Sequence, residues 1–388
     1  MGFFAEFTGN TTAQPESFAI RPAARRQALQ WLTMGRNNAH SRIAVLTLLT
    51  ASLATADIIT GAGAGTVGGH VKAFDGATSA QTQSFMAYPG FLGGVRVAAG
   101  DVNNDGFDDI VTGAGPGSVG GHVKVFDGVT GAEIRSFFAF ASFAGGVFVA
   151  SGDINGDDFA DIITGVDAGG VPHVKVFDGS TNAEIRSFFA YGAGFTGGVR
   201  VGSGDVNNDG FADIITGAGP GSADGHVKAF DGVTGAEIRS FFAYPGFAGG
   251  VFVGSGDING DGFADIITGA DSGGASHVKV FDGATNAEIR SFFAYGGGFT
   301  GGVRVGSSDL NNDGFADIIT GAGPGSAGGH VKAFDGVTGA EIRSFFAYAG
   351  SVDGVYVAGS AAAAVPEPSS AILLTAGCLG MALRRLLR

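Results

Sequence analysis

The chain has 388 residues, of which 72 are Gly and only 15% are charged, and its formal net charge is −14. Its 34 Phe residues supply ample core material, so the composition indicates an ordered chain and not a disordered Gly-rich one. Acidic residues outnumber basic ones 33 to 14 between positions 57 and 360. This balance argues against nucleic acid as a partner, because phosphate binding needs a basic face.

The first 56 residues divide into two segments. Residues 1–33 are polar and without pattern, which indicates a mis-assigned translation start or a disordered segment. Residues 34–56 have the order of a secretory signal peptide: basic Arg36 and Arg42, an apolar run over 43–53, and an A-x-A site before Asp57. A buried helix is the alternative interpretation. The signal peptide predicts export.

A repeat of 52 residues fills positions 57–360, and each full copy carries an acidic loop. These loops begin at Asp101, Asp153, Asp205, Asp257 and Asp309. A constant period of this size predicts units that are stacked or arranged radially. The only cysteine, Cys378, lies outside the repeats, so the repeat region has no disulfide.

Each repeat is predicted to form four short strands. In one copy, residues 146–150, 160–165, 173–177 and 183–191 are rich in β-branched and aromatic residues, and Gly, Asp and Asn separate them. No sustained helical periodicity occurs between the two terminal segments. A four-stranded unit of this length is typical of one β-propeller blade.

The two ends of the repeat region predict how the blades close. Residues 57–61 correspond to the second strand of a blade, and residues 354–359 correspond to a first strand with nothing after it. Joining them completes a sixth blade and removes two exposed sheet edges. The sequence therefore predicts an all-β, six-bladed β-propeller of four-stranded blades, closed by pairing of the C-terminal strand with the N-terminal blade. An open solenoid is the alternative.

A second period of 104 residues supports the even number of blades. The second position of the first strand alternates between arginine and an aromatic residue, in the order Arg96, Phe148, Arg200, Phe252, Arg304, Tyr356. The loops alternate as well, with Asn-Asn in one and Asn-Gly in the next. This pattern indicates duplication of a two-blade unit and pseudo-threefold symmetry.

The loop sequence D-x-N-x-D-G-F-x-D, followed by Ile-Ile-Thr-Gly-Ala-Gly, resembles the FG-GAP repeat, the calcium-binding blade of integrin α-chain propellers. In that family, positions 1, 3, 5 and 9 supply side-chain oxygens and position 7 supplies a carbonyl. The resemblance therefore implies about five Ca²⁺ per chain. The implied ligands are Asp101, Asn103, Asp105, Phe107, Asp109, Asp153, Asn155, Asp157, Phe159, Asp161, Asp205, Asn207, Asp209, Phe211, Asp213, Asp257, Asn259, Asp261, Phe263, Asp265, Asp309, Asn311, Asp313, Phe315 and Asp317.

Three departures qualify this metal prediction. Thr112 stands at position 12, where an EF-hand carries a bidentate Glu, so the loops are not EF-hands. Asp158 replaces the Gly of the other loops, which predicts a left-handed Asp and a weaker second site. Ala361 stands where a sixth loop would begin. Acidic turns that bind no metal are the alternative.

All lysines of the chain occur in six His-Val-Lys motifs. His and Lys share one face of a strand, so the motifs either present a multivalent surface for acidic glycans or pair with acidic residues of the next blade. The set Arg96, Arg200 and Arg304 is expected to make structural contacts between blades. Glu133 and Arg135, with their copies, are expected to form an exposed pair on the outer strand.

The sequence contains no catalytic or cofactor-binding motif in the structural context that the motif requires. Residues 115–120 match G-x-G-x-x-G but open a strand, so dinucleotide binding is rejected. The close symmetry of the repeats argues further against an enzyme, because an active site needs unlike residues at one place.

The last 28 residues predict a sorting segment. Pro366-Glu367-Pro368 precedes a mostly apolar run over 371–383 and a final cluster of arginines. This order resembles the PEP-CTERM signal of Gram-negative bacteria, which an exosortase recognises and removes, so residues 361–388 are assigned to it. A plain tail anchor is the alternative. Either way the termini predict transient membrane contact.

These features together predict an exported calcium-binding propeller at the cell surface or in the extracellular matrix of a Gram-negative-type bacterium. It would be a non-catalytic binding or adhesion module whose partner is an extracellular polysaccharide or a surface protein. A polysaccharide lyase or hydrolase on the same scaffold and a structural spacer are the alternatives.

Overall fold

The computed structural model describes residues 57–192 and 194–360, which nearly coincide with the predicted repeat region. The start region, the predicted signal peptide and the predicted sorting segment lie outside the described residues. Within the described residues the chain forms strands and one short 3₁₀ turn, Ala223–Gly225. None of the helical structure found there is long and apolar enough to span a membrane.

Twenty-four strands are described, and each of the four strand positions recurs six times. The first strands are β4 (Val95–Gly100), β8 (Val147–Gly152), β12 (Val199–Gly204), β16 (Val251–Gly256), β20 (Val303–Ser308) and β24 (Val355–Gly359). The second strands are β1 (Asp57–Ala62), β5 (Asp109–Ala114), β9 (Asp161–Val166), β13 (Asp213–Ala218), β17 (Asp265–Ala270) and β21 (Asp317–Ala322).

The third and fourth strands complete each blade. The third strands are β2 (His70–Asp75), β6 (His122–Phe126), β10 (His173–Phe177), β14 (His226–Phe230), β18 (His277–Phe281) and β22 (His330–Phe334). The fourth strands are β3 (Gln81–Met86), β7 (Glu133–Phe138), β11 (Glu184–Phe189), β15 (Glu237–Phe242), β19 (Glu288–Phe293) and β23 (Glu341–Phe346).

These strands form six antiparallel four-stranded sheets, so the predicted six-bladed β-propeller is confirmed. We number the blades 1 (β4–β7), 2 (β8–β11), 3 (β12–β15), 4 (β16–β19), 5 (β20–β23) and 6 (β24 with β1–β3). The first strand of each blade contacts the first strands of both neighbours, so these six strands form a closed ring around a central channel.

Blade 6 is closed by the two ends of the repeat region, as the sequence predicts. β24 pairs antiparallel with β1, in a register that joins Ile58 to Gly359 and Ala62 to Val355. Asp57 and Ser360 extend the pairing, because the Ser360 amide donates to the Asp57 carbonyl at 3.0 Å. The strand that lacked a partner in the sequence is therefore paired with β1, and β1 is no longer a sheet edge.

The core lies between neighbouring blades, and the second strands are buried on both faces. The Gly that follows the buried Thr of each second strand allows neighbouring blades to approach closely. A Cβ on Gly113 would collide with the carbonyl oxygen of Val147 in the next blade, and the same contact recurs at Gly321 with Val355. Any larger residue at this position would push two blades apart.

Tyrosine hydroxyls connect five of the six blade interfaces. The hydroxyl of Tyr88, after β3, lies 3.0 Å from the carbonyl oxygens of Thr112 and His122 in the following blade. Tyr191, Tyr244, Tyr295 and Tyr348 make the corresponding contacts. Between blades 1 and 2 this position is Phe140, which has no hydroxyl.

Candidate metal centres

The five acidic loops connect the first and second strands of blades 1 to 5, so all five lie at the same face of the ring. Neighbouring loops are linked by backbone hydrogen bonds. The amide of Ala160 donates to the carbonyl of Asp101 at 2.9 Å, and Ala212 donates to Asp153 in the same way. Neighbouring loops are therefore in direct contact along this face of the ring.

The side chains at positions 1 and 5 hold the loop in its turn. In the first loop, the two carboxylate oxygens of Asp101 accept the amides of Asp105 (3.0 Å) and Gly106 (2.8 Å). Asp105 accepts the amide of Phe107 at 3.0 Å. The other four loops repeat these bonds. Such carboxylates keep lone pairs that remain available for a cation.

The Asp at position 9 is the only one of the loop carboxylates that is fully buried. Asp109 accepts the amides of Val102 and Gly128, both at 3.1 Å. Burial raises the pKa of Asp109 to about 7, and the neighbouring Asp101, Asp105 and Asp127 contribute to that rise. Burial likewise raises the pKa of its copies Asp161, Asp213, Asp265 and Asp317 to about 6. Each loop therefore concentrates negative charge that a cation would relieve.

The structure adds one carboxylate that the sequence analysis missed. Asp127, in the turn after β6, accepts a hydrogen bond from the side-chain amide of Asn103 at 3.3 Å. The corresponding residues Asp178, Asp231, Asp282 and Asp335 make the same contact with their own loops. They stand 23 or 24 residues after the Asn, and the signal that could have revealed them is their recurrence in every Phe-Asp-Gly turn.

The donor set of the loops fits a hard cation such as Ca²⁺, which takes carboxylate, amide and carbonyl oxygens. In the first loop the side-chain oxygen of Asn103 is buried and has no hydrogen-bond partner, so it is free to accept a cation, whereas in the other four loops the Asn oxygen accepts the amide of the Asp at position 5 at 2.9 Å. Between residues 57 and 360, leaving out residue 193, no three His, Cys, Asp or Glu side chains already converge as a metal site. The ligand residues remain predictions.

Backbone conformation separates the loops of odd and even blades. The fourth position is Asn104 in the left-handed region (φ 53°) in blade 1, whereas it is Gly156 (φ 77°) in blade 2. A Cβ on Gly156 would collide with the ring of Phe211 in the next loop, which explains why even loops carry Gly. Asp158 is left-handed (φ 69°), as its replacement of a Gly predicts.

The His-Val-Lys motifs do not pair with the next blade as expected. Lys124 contacts Glu133 at 2.7 Å within its own blade, and four other lysines repeat this pair. Lys72, whose blade has Gln81 in place of that Glu, donates to the carbonyl of Ala347 in the preceding blade at 2.9 Å. The other five lysines reach the preceding blade only through an aromatic ring, as Lys124 does over Tyr88 at 5.7 Å. The lysines pair within their own blade because the ladder between β6 and β7 contains a bulge. This bulge places Glu133 opposite Phe126, where Lys124 can reach the Glu133 carboxylate.

The expected pairing of Glu133 with Arg135 is also wrong. Glu133 binds Lys124, while Arg135 donates to the carbonyl of Asp178 in the next blade at 3.1 Å. The three first-strand arginines make contacts between blades, as predicted. Arg96 and Arg200 form ion pairs with Asp167 and Asp271 of the following blade, and all three arginines are buried.

Exposed aromatic side chains mark the outer edge of the face opposite the loops. Phe138 is 62% exposed and stacks on His122 with 4.6 Å between ring centroids. The corresponding residues Phe189, Phe242, Phe293 and Phe346 are at least half exposed, and Met86 occupies the position in blade 6. We call these six residues the outer apolar ring. The sequence analysis assigned them only to strands.

Two segments of the chain, residues 93–130 and 249–287, match the family model of the FG-GAP repeat. Each contains a first strand, its acidic loop and the two strands that follow. The match supports the resemblance for blades 1 and 4.

Several solved structures are similar at low identity. The rhamnogalacturonan lyase YesW is 13% identical over 72% of this chain and 59% of that chain, with a TM-score of 0.38. The computationally designed protein Ika8 is 19% identical over 77% and 90%, with a TM-score of 0.40. A protein of unknown function from Bacteroides caccae is 11% identical over 79% and 99%, with a TM-score of 0.44. This chain thus spans less than two thirds of the lyase, and no activity follows from these likenesses.

Proposed function

We propose that this protein is an exported calcium-binding β-propeller that acts as a non-catalytic binding module at the cell surface or in the extracellular matrix. The observation that carries the proposal is the repetition of one oxygen-rich loop in five blades. Each loop carries a buried carboxylate at position 9, a half-buried one at position 1, an exposed one at position 5 and an Asn that contacts the Asp of the following turn.

Bound calcium would supply positive charge to loops that are crowded with carboxylates. Asp101, Asn103, Asp105 and Asp109 are the side chains that would hold it in the first loop, and Asp127 orients the Asn. The orphaned oxygen of Asn103 supports this assignment. Because the loops are hydrogen-bonded to one another, ordering of one loop would stabilise its neighbours.

The repetition also supports a non-catalytic role. The channel cavity nearest the loops, about 150 Å³, is lined by the same three positions of all six first strands, for example Val201, Gly202 and Ser203. A catalytic site needs an acid, a base or a nucleophile in unlike environments at one place, and repeated small residues do not provide it.

The outer apolar ring is the surface we assign to a partner, and an extracellular polysaccharide is the partner we propose. Six large apolar side chains at a regular spacing provide repeated contacts for a repetitive polymer. The lysines of the adjacent third strands are already engaged by carboxylates or a carbonyl, so they offer little to an acidic chain. Export through the signal peptide and sorting by an exosortase would deliver the propeller to such a polymer.

A glycan array probed with and without calcium tests this proposal. We expect the wild-type protein to bind a polysaccharide and the triple variant Phe138→Ser, Phe242→Ser, Phe346→Ser to lose most of that signal. Val119→Ser is the matched control, because Val119 is 70% exposed but lies outside the ring. Equal binding by the triple variant would contradict the role of the ring. Calcium-dependent cleavage of any polysaccharide would contradict the non-catalytic assignment.

A further inference from the structure

Three arginines and three aromatic residues alternate around the end of the channel that lies away from the acidic loops. Phe148, Phe252 and Tyr356 form a triangle, with ring centroids 6.1 to 6.4 Å apart. Each arginine lies over two of these rings, and the guanidinium carbon of Arg304 is 4.9 Å from the centroid of Tyr356. The six side chains line a cavity of about 60 Å³.

Two of the three arginines are neutralised and the third is not. Arg96 and Arg200 pair with Asp167 and Asp271, which directly follow the second strands of blades 2 and 4. Blade 6 has Gly63 at the corresponding position. Within the part of the chain that the structure describes, Arg304 forms no ion pair, although its side chain is only 7% exposed.

Aromatic rings alone do not satisfy Arg304. They attract the charge through their faces but accept no conventional hydrogen bond from its N–H groups. Nε and Nη1 of Arg304 are buried and lack partners, and the same two atoms of Arg96 and Arg200 are also unpartnered. Arg96 and Arg200 are ion-paired through Nη2, so Arg304 differs from them in having no counter-ion. A buried cation without a counter-ion is strongly unfavourable, so an anion beside Arg304 is expected.

We propose that this cavity binds one small anion, a chloride ion or the carboxylate of a small molecule, through the guanidinium of Arg304. Two of the three arginines have an aspartate as ion-pair partner and Arg304 has none within the described residues, which matches one monovalent anion. A water needs about 10–15 Å³ of such volume, so the cavity has room for a group of a few atoms and not for a polymer segment.

The local backbone explains why blade 6 lacks the aspartate. A Cβ on Gly63 would collide with the carbonyl oxygen of Asp353, in the loop that precedes β24. In blades 2 and 4 the residue corresponding to Asp353 is Gly145 or Gly249. The double variant Gly63→Asp, Asp353→Gly therefore gives blade 6 the residues of its two counterparts, and it places a carboxylate where the anion is proposed to bind.

The test measures the line width of the chloride NMR signal in the presence of the wild-type propeller, the double variant and Arg304→Gln. We expect the wild type to broaden the signal and both variants to lose that broadening. Added sodium acetate should narrow the wild-type line if the same site accepts a carboxylate. Calorimetric titration with acetate covers the case in which the site prefers carboxylate to chloride.

The outcomes separate clearly. Chloride or acetate binding that is present in the wild type and lost in the double variant supports the site, even if Arg304→Gln fails to fold. Absence of both chloride and acetate binding to the wild type would overturn it. Equal binding by the wild type and the double variant would overturn it too, because the anion would then bind elsewhere.

Discussion

At the scale of single residues, the second loop differs from the other four at its sixth position. Asp158 is left-handed in the second loop, where the other loops carry Gly at φ between 88° and 91°. A left-handed L-residue costs about 1 kcal/mol or more relative to Gly, so this loop is strained in a way that its copies are not. Its amide nevertheless donates to Asp153 at 2.9 Å, as the Gly amides do in the other loops.

We therefore expect Asp158→Gly to stabilise the propeller by about 0.5–1 kcal/mol, because it removes the strain and keeps the amide. Chemical denaturation measures the change. The reciprocal variant Gly262→Asp, in the fourth loop, should destabilise by a similar amount and serves as the matched control. A loss of stability in Asp158→Gly would show that the Asp side chain stabilises the loop by more than its left-handed backbone conformation costs.

The position-9 carboxylates predict how stability depends on pH. Their folded pKa of about 6 to 7 lies above the ordinary value of 3.8, so the calcium-free folded state takes up protons between these values. Proton binding by these carboxylates therefore stabilises the calcium-free folded state. This stabilisation is complete below about pH 3.8 and is lost as the pH rises through 6 to 7. Calcium bound as proposed would compete with those protons, because it needs the ionised carboxylates.

We expect the rise in Tm caused by calcium to be largest near about pH 7.5 and to shrink towards about pH 5. Thermal unfolding with calcium or with EDTA at each pH measures this difference. Burial lowers the pKa of the six described histidines, such as His122, but they are present in both samples and cancel in the difference. A calcium effect that stays constant over this range would contradict the role of these carboxylates.

At the scale of elements, the blade interfaces are nearly identical, and one of them is incomplete. Tyr88 and its four copies donate a buried hydroxyl to the next blade, whereas Phe140 leaves the corresponding acceptors of Thr164 and His173 without it. Phe140 is as buried as the tyrosines, so the ring already occupies the same place.

The variant Phe140→Tyr is expected to stabilise the protein by about 0.5–1.5 kcal/mol, the net value of one buried hydrogen bond. Thermal or chemical unfolding measures it, and Tyr88→Phe, which removes the same bond one interface earlier, should lose a similar amount. Destabilisation by Phe140→Tyr would mean that the interface between blades 1 and 2 lacks room for the hydroxyl.

Element positions were predictable from the sequence, but several side-chain partners were not. The strand patterns and the 52-residue period place every blade, because each strand carries its own hydrophobic run. The partner of Lys124 depends on a bulge in the hairpin that joins β6 and β7, which no local pattern encodes. Asp127 reaches Asn103 only after the chain returns along two strands, so its contact with the loop was missed.

At the scale of the whole molecule, closure was predictable because the two ends of the repeat region lack complementary strands. β24 is the first strand that β1–β3 lack, and it completes the ring of six first strands. The unpaired state of Arg304 was not predictable in the same way. It depends on which residue follows β1, a strand that lies at the other end of the sequence and becomes a neighbour only when the ring closes.

The central claim is that the five loops bind calcium, and elemental analysis of the purified propeller after exhaustive dialysis tests it most directly. Five loops with the same side-chain oxygens predict about five calcium ions per chain. The double variant Asp101→Asn, Asp105→Ala changes only the first loop, so it should lower that number by about one and leave the other loops loaded. Zero or one calcium per chain in the wild-type protein would contradict the metal assignment and the function built on it.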